Sequence, residues 1–331
     1  MKEVVVVTGG GGFIGHYLVR RLLRENLVVV LDNFSRGTPE RLKGLEDQVV
    51  IKNCDITDFD AIEASLIGCS VKAIFHLAAI NGTGNFYKIP VQIMNVGVLG
   101  CKNILDYAKK YSVPKVITAS SAEVYQECDL VPTPEDVPLI VPDVKNPRFS
   151  YGLSKIFTEY YSYHFGKENG LNISIFRPHN VFGPDMGLQH VIPQFIMEFL
   201  RKANSQEAIE IETKGSLAAI RAFCYVDDIV DGIILLSDSN RGVNVYNIGN
   251  TQKVSMSELL NLIGEILGLK YKITQCPDEH VGGSMLRCPD ISKIEDLGFS
   301  CSVNLTDGLS KTIDWYQKNF DALLRIENKT Y

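Results

Sequence analysis

The chain has 331 residues, of which 45% are hydrophobic and 22% are charged, and its formal net charge at pH 7 is -6. Such a chain is long enough for two domains and apolar enough to bury a large core. The negative charge and the lack of a long basic run argue against nucleic acid or an anionic membrane as a partner, so we expect neither.

The chain begins with a pattern typical of a buried strand, a glycine-rich turn and a helix. Residues 4–7 are β-branched, four glycines follow Thr8, and an amphipathic helix is predicted from Phe13. Glycine lets a ligand's phosphates approach the peptide N–H groups at a helix N-terminus. We therefore interpret Gly9 and Gly12 as the turn and pyrophosphate approach of a dinucleotide site, the alternative being a turn that only packs closely.

Strands alternate with helix-sized segments up to about residue 120. The predicted strands are 3–8, 27–32, 49–52, 73–77 and 115–120, and predicted helices lie near 13–25, 58–67 and 90–111. This alternation requires a parallel sheet with right-handed crossovers and helices on both faces. We predict an α/β fold with a Rossmann-type doubly wound parallel sheet, in which ligands lie at the carboxyl ends of the strands.

Several polar or small residues follow the predicted strands at that edge. Asp32 ends the second strand, where its carboxylate would accept hydrogen bonds from ribose hydroxyls and repel a 2'-phosphate. This favours NAD over NADP, a preference that Arg36 could soften. Asp55 is placed to reach the adenine amino group, with a helix N-cap as its alternative role. The small residues that follow His76 allow a flat cofactor to lie against the fourth strand, and His76 itself is interpreted as structural.

A further helix, starting near residue 151, carries a tyrosine and a lysine four residues apart and therefore on one face. A tyrosine, with a pKa of about 10, is a poor base at pH 7 unless a nearby cation favours the phenolate. Lys155 would provide that cation, which makes Tyr151 a candidate general base for an alcohol or sugar hydroxyl. Ser121 would hydrogen-bond to the same oxygen. The alternative for the YxxxK spacing is a solvated helix face.

After residue 177 the regular alternation weakens. Strand-like runs at 221–226 and 243–248 indicate that the second region is built from discontinuous pieces. We predict an NAD-binding Rossmann domain over 1–177 with strand segments from within 220–250. A smaller, mixed α/β substrate-binding domain is predicted over 178–219 and 251–331.

The remaining composition bears on location and metal binding. The first apolar run is too short for a signal-peptide core, and no stretch approaches membrane-spanning length, so we expect a cytoplasmic protein. The eight cysteines and six histidines show no CxxC, HExxH or other metal-ligand spacing. We therefore expect reduced thiols and no metal ion.

Taken together, ten short motifs resemble one protein family over nearly the whole chain. They are TGGGGFIG (8–15), LDNFSRG (31–37), CDITD (54–58), HLAA (76–79), SSAEVY (120–125), YGLSK (151–155), FRPHNVFGP (176–184), RAFCYVDD (221–228), YNIG (246–249) and RCPDISK (287–293). The family is the extended short-chain dehydrogenases/reductases, and within it the chain resembles the NAD-dependent nucleotide-sugar epimerases, dehydratases and decarboxylases.

The resemblance implies roles for individual residues. Ser121, Tyr151 and Lys155 match the catalytic residues, with Tyr151 taking a proton as hydride leaves the sugar C4 for NAD. Lys155 would also hold the nicotinamide ribose. The implied cofactor-binding residues are Gly9, Gly12, Phe13, Ile14, Asp32, Asn33, Asp55, Ile56, Leu77, Ala78, Ala79, Tyr151, Lys155 and Pro178. The implied substrate-binding residues are Asn81, Arg148, Asn180, Arg221 and Arg287. The last three match contacts to the nucleotide diphosphate, the alternative for the two arginines being surface ion pairs.

The chain departs from the 4,6-dehydratases of this family at one position. Where those enzymes carry an acidic aspartate, this chain has Ala122, which cannot donate a proton. Glu123 remains where dehydratases and uronate decarboxylases keep an acidic residue, so we include it among the catalytic candidates. Arg148 lies where the decarboxylases have an arginine. The alternative for these two residues is an ion pair that holds the loop.

We therefore predict an NAD-dependent enzyme that acts on a nucleoside-diphosphate sugar through a transient C4 ketone, with 4-epimerisation as the first choice. Dehydration or decarboxylation with Glu123 and Arg148 is the alternative. A non-catalytic protein that binds NAD and a nucleotide sugar is the second alternative. By analogy with the family we expect a homodimer.

Overall fold

The fold is organised around a parallel β-sheet. A computed structural model describes residues 2–126, 128–203, 209–214, 216–239, 241–276 and 285–330. Its strands are β1 (Lys2–Thr8), β2 (Val28–Asp32), β3 (Val49–Asn53), β4 (Cys69–His76), β5 (Lys115–Ala119), β6 (Asn172–Pro178), β7 (Val181–Phe182), β8 (Ile209–Lys214), β9 (Ile220–Ala222), β10 (Cys224–Tyr225), β11 (Val243–Ile248), β12 (Lys253–Ser255), β13 (Tyr271–Cys276) and β14 (Leu286–Arg287). Its α-helices are α1 (Phe13–Leu22), α2 (Phe59–Ser65), α3 (Thr83–Lys88), α4 (Pro90–Lys110), α5 (Ser150–Asn169), α6 (Val191–Ala203), α7 (Val226–Ser239), α8 (Met256–Leu267), α9 (Ser292–Glu295) and α10 (Leu305–Thr330).

Seven strands form the main sheet in the order β11-β6-β5-β4-β1-β2-β3, and all of their pairings are parallel. The strand order reverses between β1 and β4. At such a point the loops that leave the two strands run to opposite faces of the sheet and open a crevice at the carboxyl edge. The predicted Rossmann-type sheet is confirmed, and its topology locates the ligand-binding edge.

The sheet is covered by an apolar layer on each face. Val5 and Val7 of β1 pack in a cluster with α1 and α7, whereas Val4 and Val6 pack in the opposite cluster with α2, α4 and α5. Because successive side chains of a strand point to opposite faces, a strand covered on both sides is apolar at every position. This explains the continuous valine run that marks the start of the chain.

The glycine turn between β1 and α1 depends on missing side chains. Gly9 has a φ of +73°, which residues with a Cβ rarely adopt, and a Cβ built there would lie 2.8 Å from Ala78 Cα. A Cβ at Gly15 would overlap the carbonyl oxygen of Gly9. The first turn of α1 can therefore lie directly against the end of β1.

The region after β6 builds a third apolar cluster, in which α6, α8 and α10 surround β8 and the short strands β7 and β10. The predicted strand 243–248 joins the edge of the main sheet as β11. The prediction of one strand over 221–226 is wrong, because β9 pairs with β12 and β14 while β10 pairs with β7. The strand pairing changes at Phe223, and neither β9 nor β10 joins the main sheet. The division into two domains stays a prediction.

None of the helices in the described ranges combines the length and apolar character needed to cross a bilayer.

A buried ion pair connects α5 to the sheet. Arg177 at the end of β6 donates to both carboxylate oxygens of Glu159, at 2.7 and 2.6 Å, and both side chains are almost fully buried. The hydroxyl of Ser120, which follows β5, also donates to Glu159. Arg177 donates further to the Tyr125 hydroxyl at 2.5 Å and to the Glu135 carbonyl at 2.9 Å. Nearly all side-chain polar atoms of Arg177 and Glu159 therefore take part in hydrogen bonds.

We predict that Arg177→Met lowers the free energy of unfolding by about 3–5 kcal/mol, because Glu159 would keep its buried charge without a guanidinium. Urea denaturation followed by circular dichroism measures this loss. The matched control is Arg21→Met, which removes the exposed Arg21–Asp231 pair of 3.3 Å and should cost less than about 1 kcal/mol. Equal losses for the two variants would contradict the prediction.

Candidate active site

The N-terminus of α1 faces the crevice at the carboxyl edge of the sheet. Gly12 occupies the N-cap position in extended backbone, and no side chain caps the helix. A Cβ built at Gly12 would approach only the Gly9 carbonyl oxygen, at 3.1 Å, so the space above the helix end is open. The first helical residues, Phe13 and Ile14, present N–H groups that lack an intrahelical acceptor. This end of α1 therefore has the form of an anion site.

Asp32 lies beside that turn at the end of β2. Its two carboxylate oxygens accept the N–H groups of Gly11 and Phe34, each at 2.8 Å, and the residue is buried. Each carboxylate oxygen can accept a second hydrogen bond. Asp32 can therefore hold the turn and still accept from the hydroxyls of a ribose.

The predicted adenine-binding residues form a small contact group. Asp55 accepts from the Asn33 side chain at 3.3 Å and from the Thr57 N–H and hydroxyl at 2.9 and 2.8 Å. The N-cap of α2 is Asp58, which accepts from the Ala61 N–H at 3.1 Å. The N-cap alternative for Asp55 is therefore wrong, and Ile56 is buried behind it.

The end of β4 closes the other side of the crevice. Leu77 and Ala78 donate their N–H groups to the carbonyl and hydroxyl oxygens of Thr8, at 3.1 and 3.2 Å. The Thr8 hydroxyl also hydrogen-bonds to Nδ1 of His76 at 2.8 Å. Burial, followed by the charge of Lys155, lowers the pKa of His76 to about 3, so this side chain is neutral and structural.

Two further cofactor candidates border this region. Ala79 packs against the small apolar cluster that contains Tyr151 and Phe86, and Pro178 is the last residue of β6.

The three predicted catalytic residues are brought together by β5 and α5. Ser121 caps the 3-10 turn Ala122–Val124 by accepting the Glu123 N–H at 3.1 Å, and it is close enough to the Tyr151 hydroxyl to lower the pKa of that group. The ammonium of Lys155 lies 5.8 Å from the centroid of the Tyr151 ring and donates to the Ala119 carbonyl at 2.7 Å. This is the arrangement that the serine, tyrosine and lysine pattern predicts.

Burial dominates the electrostatics of this group. Burial raises the pKa of Tyr151 above its ordinary value, the Ser121 hydrogen bond lowers it, and the charge of Glu123 raises it. Burial also lowers the pKa of Lys155 to about 8. The ammonium of Lys155 donates to a backbone carbonyl rather than to the Tyr151 hydroxyl. A further cation next to the hydroxyl would favour the phenolate of Tyr151.

Three arginines and one glutamate form a charged cluster beside Tyr151. Glu123 pairs through Oε1 with Arg287 at 2.6 Å and through Oε2 with Arg148 at 3.0 Å. Arg221 of β9 is the register partner of Arg287 of β14. Burial alone would raise the pKa of Glu123, but the charges of Arg287 and Arg148 hold it below its ordinary value. The ion-pair alternative for Glu123 and Arg148 is what the structure contains, with Arg287 as a second, unexpected partner.

The other predicted substrate-binding residues lie around this cluster. The Arg148 guanidinium is 5.2 Å from the centroid of the Phe86 ring, which stacks on Tyr151 at 5.6 Å. Asn180 donates to the Ala222 carbonyl at 3.0 Å, next to Arg221. Asn81 lies in the loop before α3, where its side chain accepts the Gly82 N–H at 2.6 Å. Its role in substrate binding stays a prediction.

Sequence reasoning missed a polar network behind the site. The Tyr125 hydroxyl donates to Asn247 at 2.7 Å, and the Asn247 amide donates to the carbonyls of Thr133 and Asp290 at 3.0 and 2.9 Å. Asn247 also accepts a hydrogen bond from His179 Nε2, at 3.0 Å, in the tautomer that carries its proton there. The motif YNIG contains Asn247, but its local sequence gives no sign of these partners.

A Rossmann sheet with an uncapped glycine turn, a carboxylate after β2 and a tyrosine–lysine pair defines a dinucleotide-dependent enzyme. Comparison with known proteins identifies the family. Residues 5–249 match the model of the NAD dependent epimerase/dehydratase family. The chain therefore belongs to this family and is an NAD-dependent enzyme, as predicted.

Individual relatives carry out different reactions. The chain is 30% identical over 324 residues to UDP-glucuronic acid decarboxylase 1 of Xenopus tropicalis, covering 97% of this chain and 73% of the relative. It is also 30% identical over 328 residues to a UDP-N-acetyl-alpha-D-glucosaminuronate decarboxylase of Bacillus cytotoxicus, with coverages of 96% and 99%. The UDP-glucose 4-epimerase of Thermotoga maritima, solved with UDP-glucose, superposes with a TM-score of 0.85 and 29% identity, covering 96% of this chain and 99% of that one.

We predict that Asp32→Asn weakens NAD binding at least tenfold, because an amide nitrogen would replace one acceptor of a ribose hydroxyl and the charged hydrogen bond would be lost. The preference for NAD over NADP should fall as well, because the repulsion of a 2'-phosphate is removed. Isothermal titration of the cofactor-free protein with each dinucleotide measures both effects.

The control for this prediction is Asp58→Asn, which changes a carboxylate that caps α2 outside the crevice. That variant should keep both dissociation constants within about twofold, since a helix cap affects stability. An unchanged NAD to NADP ratio in Asp32→Asn would contradict the role of Asp32.

Proposed function

We propose that this enzyme is a nucleoside-diphosphate-sugar 4-epimerase that works through a C4 ketone. The observation that carries the proposal is the meeting of Ser121, Tyr151 and Lys155 at the cofactor edge, directly beside the arginines of β9 and β14. Bound NAD+ would supply a hydride acceptor and a positive charge near the tyrosine.

The protein's own residues would handle the proton. Tyr151 would take the proton of the C4 hydroxyl and return it when the ketone is reduced, while Ser121 hydrogen-bonds to the same oxygen. Because burial raises the pKa of Tyr151, its phenolate needs the positive charge of the oxidised cofactor. The strength of Tyr151 as a base would therefore depend on the oxidation state of the cofactor. Tyr151 would take the proton when hydride passes to NAD+ and return it when the hydride goes back to the ketone.

The arginine cluster supports a substrate with a diphosphate. The cluster contains three positive charges and one negative charge, those of Arg148, Arg221, Arg287 and Glu123. Arg287 Nε is buried and has no hydrogen-bond partner within the described ranges. Burial and the charge of Arg287 lower the pKa of Arg221 to about 10, so the two cations repel each other. A diphosphate would relieve this repulsion and accept the unused N–H, because the guanidinium fork suits phosphate oxygens.

The surroundings of Glu123 favour an outcome without loss of water. Dehydration requires a group that donates a proton to the leaving hydroxyl. Ala122 has none, and the two arginine partners hold the pKa of Glu123 below its ordinary value, so it is a carboxylate at neutral pH. Inversion at C4 needs only the serine, tyrosine and lysine group, together with rotation of the ketone.

Decarboxylation of a uronate sugar is the second candidate. Arg148 and Arg287 lie next to Tyr151, where they could bind a carboxylate at C6. Two relatives that match almost the whole chain are named as decarboxylases. In this reaction the substrate carboxylate would compete with Glu123 for the same guanidinium groups.

We predict that the enzyme converts a neutral UDP- or dTDP-hexose into an isomer of equal mass. Incubation with a panel of neutral and uronate nucleotide sugars, followed by chromatography and mass spectrometry, tests this. A product that has lost the mass of carbon dioxide from a uronate would overturn epimerisation in favour of the second candidate. Loss of the mass of water would indicate a dehydratase.

A Tyr151→Phe variant is the chemical control for the panel. It should lower turnover by about 10²–10⁴-fold, because it removes the proton acceptor, while cofactor binding is retained. Tyr163→Phe, at an exposed position of the same helix, should leave turnover unchanged. If Tyr151→Phe keeps full turnover, Tyr151 is not the base. If the wild-type protein binds nucleotide sugars but turns over none, the non-catalytic alternative replaces the proposal.

We also propose that the protein is a homodimer through α4 and α5. These helices pack closely, since a Cβ at Gly97 would lie 2.7 Å from Ser154 Cβ. On their outer side they expose the apolar residues Leu99, Leu153 and Tyr160, which are 42%, 41% and 69% exposed. A second copy of the same helix pair would cover this surface.

We predict a dimer mass by light scattering after gel filtration, and a monomer for the double variant Leu153→Lys/Tyr160→Lys, because two charges would be buried at the interface. Leu27→Lys, at a 53% exposed position away from these helices, serves as the control and should stay dimeric. A monomeric wild-type protein, or a double variant that remains dimeric, would contradict the proposed interface.

A further inference from the structure

Two cysteines that are 77 residues apart in the sequence meet behind the substrate region. The Sγ atoms of Cys224, at the start of β10, and Cys301, in the segment before α10, lie 3.8 Å apart. Cys224 is buried and Cys301 is half-buried. We propose that this pair is a redox modification site at which a peroxide forms a reversible disulfide.

The backbone on both sides keeps the two thiols facing each other. The Cys224 N–H donates to the Asn180 carbonyl at 3.2 Å, and β10 pairs with β7. On the other side, Asp228 of α7 accepts the N–H and hydroxyl of Ser302 at 2.9 and 2.7 Å and the Val303 N–H at 3.2 Å. A disulfide needs an S–S distance of about 2.05 Å, so the sulfur atoms must approach by about 1.8 Å from their present separation of 3.8 Å.

The alternative for this cluster is a metal site, because Asp228 lies within 4.8 Å of both thiols. However, the carboxylate of Asp228 already accepts three hydrogen bonds from the 302–303 segment. These hydrogen bonds hold the 302–303 segment against α7. Two thiols alone leave a tetrahedral zinc ion short of ligands. The geometry therefore supports chemistry between the two sulfur atoms.

The order of the two oxidation steps follows from how exposed each thiol is to solvent. Cys301 is the more accessible thiol, so its thiolate attacks hydrogen peroxide and becomes a sulfenic acid, with release of one water. The hydrogen bond with Cys301, followed by burial, raises the pKa of Cys224, so this residue remains a thiol until then. The Cys224 sulfur then attacks the Cys301 sulfur and the second water leaves. Two thiols lose two electrons, and one peroxide is reduced to two waters.

The bond would connect two elements that flank the predicted substrate residues. Cys224 is tied to Asn180 through its backbone, and Cys301 Sγ donates to the carbonyl of Gly249, which follows β11. A crosslink across 77 residues restricts the unfolded chain and stabilises the native state. Oxidation would therefore fix the β7–β10 side of the site to the segment before α10.

The test is treatment of the full chain with a small excess of hydrogen peroxide, followed by peptide mapping without reductant and by thermal unfolding. We expect a Cys224–Cys301 crosslinked peptide, two hydrogens lighter than the free peptides, and a Tm increase of at least about 3 °C. Both changes should be reversed by dithiothreitol.

Three variants make the result specific. Cys301→Ser and Cys301→Ala should fold but lose both the crosslink and the Tm increase. Cys288→Ser changes a buried cysteine elsewhere and should keep both. Oxidation of Cys301 to a sulfinic acid without a crosslink would overturn the proposal, as would a peroxide-dependent Tm increase that persists in the Cys301 variants.

Discussion

The placement of the candidate catalytic residues depends on the buried ion pair between Glu159 of α5 and Arg177 of β6. Glu159 lies one turn after Lys155 and two turns after Tyr151, so all three side chains share the inner face of α5. Because Glu159 also accepts from Ser120, the residue beside Ser121, the pair joins both catalytic segments to the sheet. An isolated charge at this depth would be costly, so the pair permits only one placement of α5 relative to β5 and β6.

The same network extends from the cofactor edge to the substrate side. Arg177 donates to Tyr125, which follows the 3-10 turn that carries Glu123, and Tyr125 donates to Asn247 at the end of β11. Asn247 in turn donates to the backbone carbonyls of Thr133 and Asp290, which lie in two different loops. A buried polar network of this kind favours one arrangement of its members. The loop segment that carries Ser121 and Glu123 is thereby connected to the ends of β6 and β11.

The main sheet and the glycine turn could be predicted because their signals are local. A valine run, a glycine at a positive φ and a carboxylate after a strand each act within a few residues. β4 begins before the predicted strand 73–77, at Cys69, because this stretch pairs with the first residues of β1 although Ser70 and Lys72 interrupt the apolar pattern. The partners of Glu123 are harder to predict, since Arg287 is 164 residues away and both a diphosphate contact and a surface ion pair fit this arginine. The sequence shows which residues are charged, but the fold determines that Glu123 and Arg287 lie next to each other.

Under the proposed function, Glu123 would connect the chemistry of the sugar to the binding of its phosphates, because it pairs with both Arg148 and Arg287. Its carboxylate occupies Nη1 of Arg287 and Nη2 of Arg148, whereas Nε of Arg287 remains a buried donor without a partner in the described structure. In the proposed reaction, a diphosphate that accepts from this Nε would leave both ion pairs in place, so Glu123 would stay charged and Tyr151 would act as the base. A uronate carboxylate would instead have to displace Glu123 from an arginine, and the released glutamate would then lie next to the Tyr151 hydroxyl. The two ion pairs of Glu123 would therefore separate the proposed epimerase from the decarboxylase alternative, and they support the reaction that leaves the cluster intact.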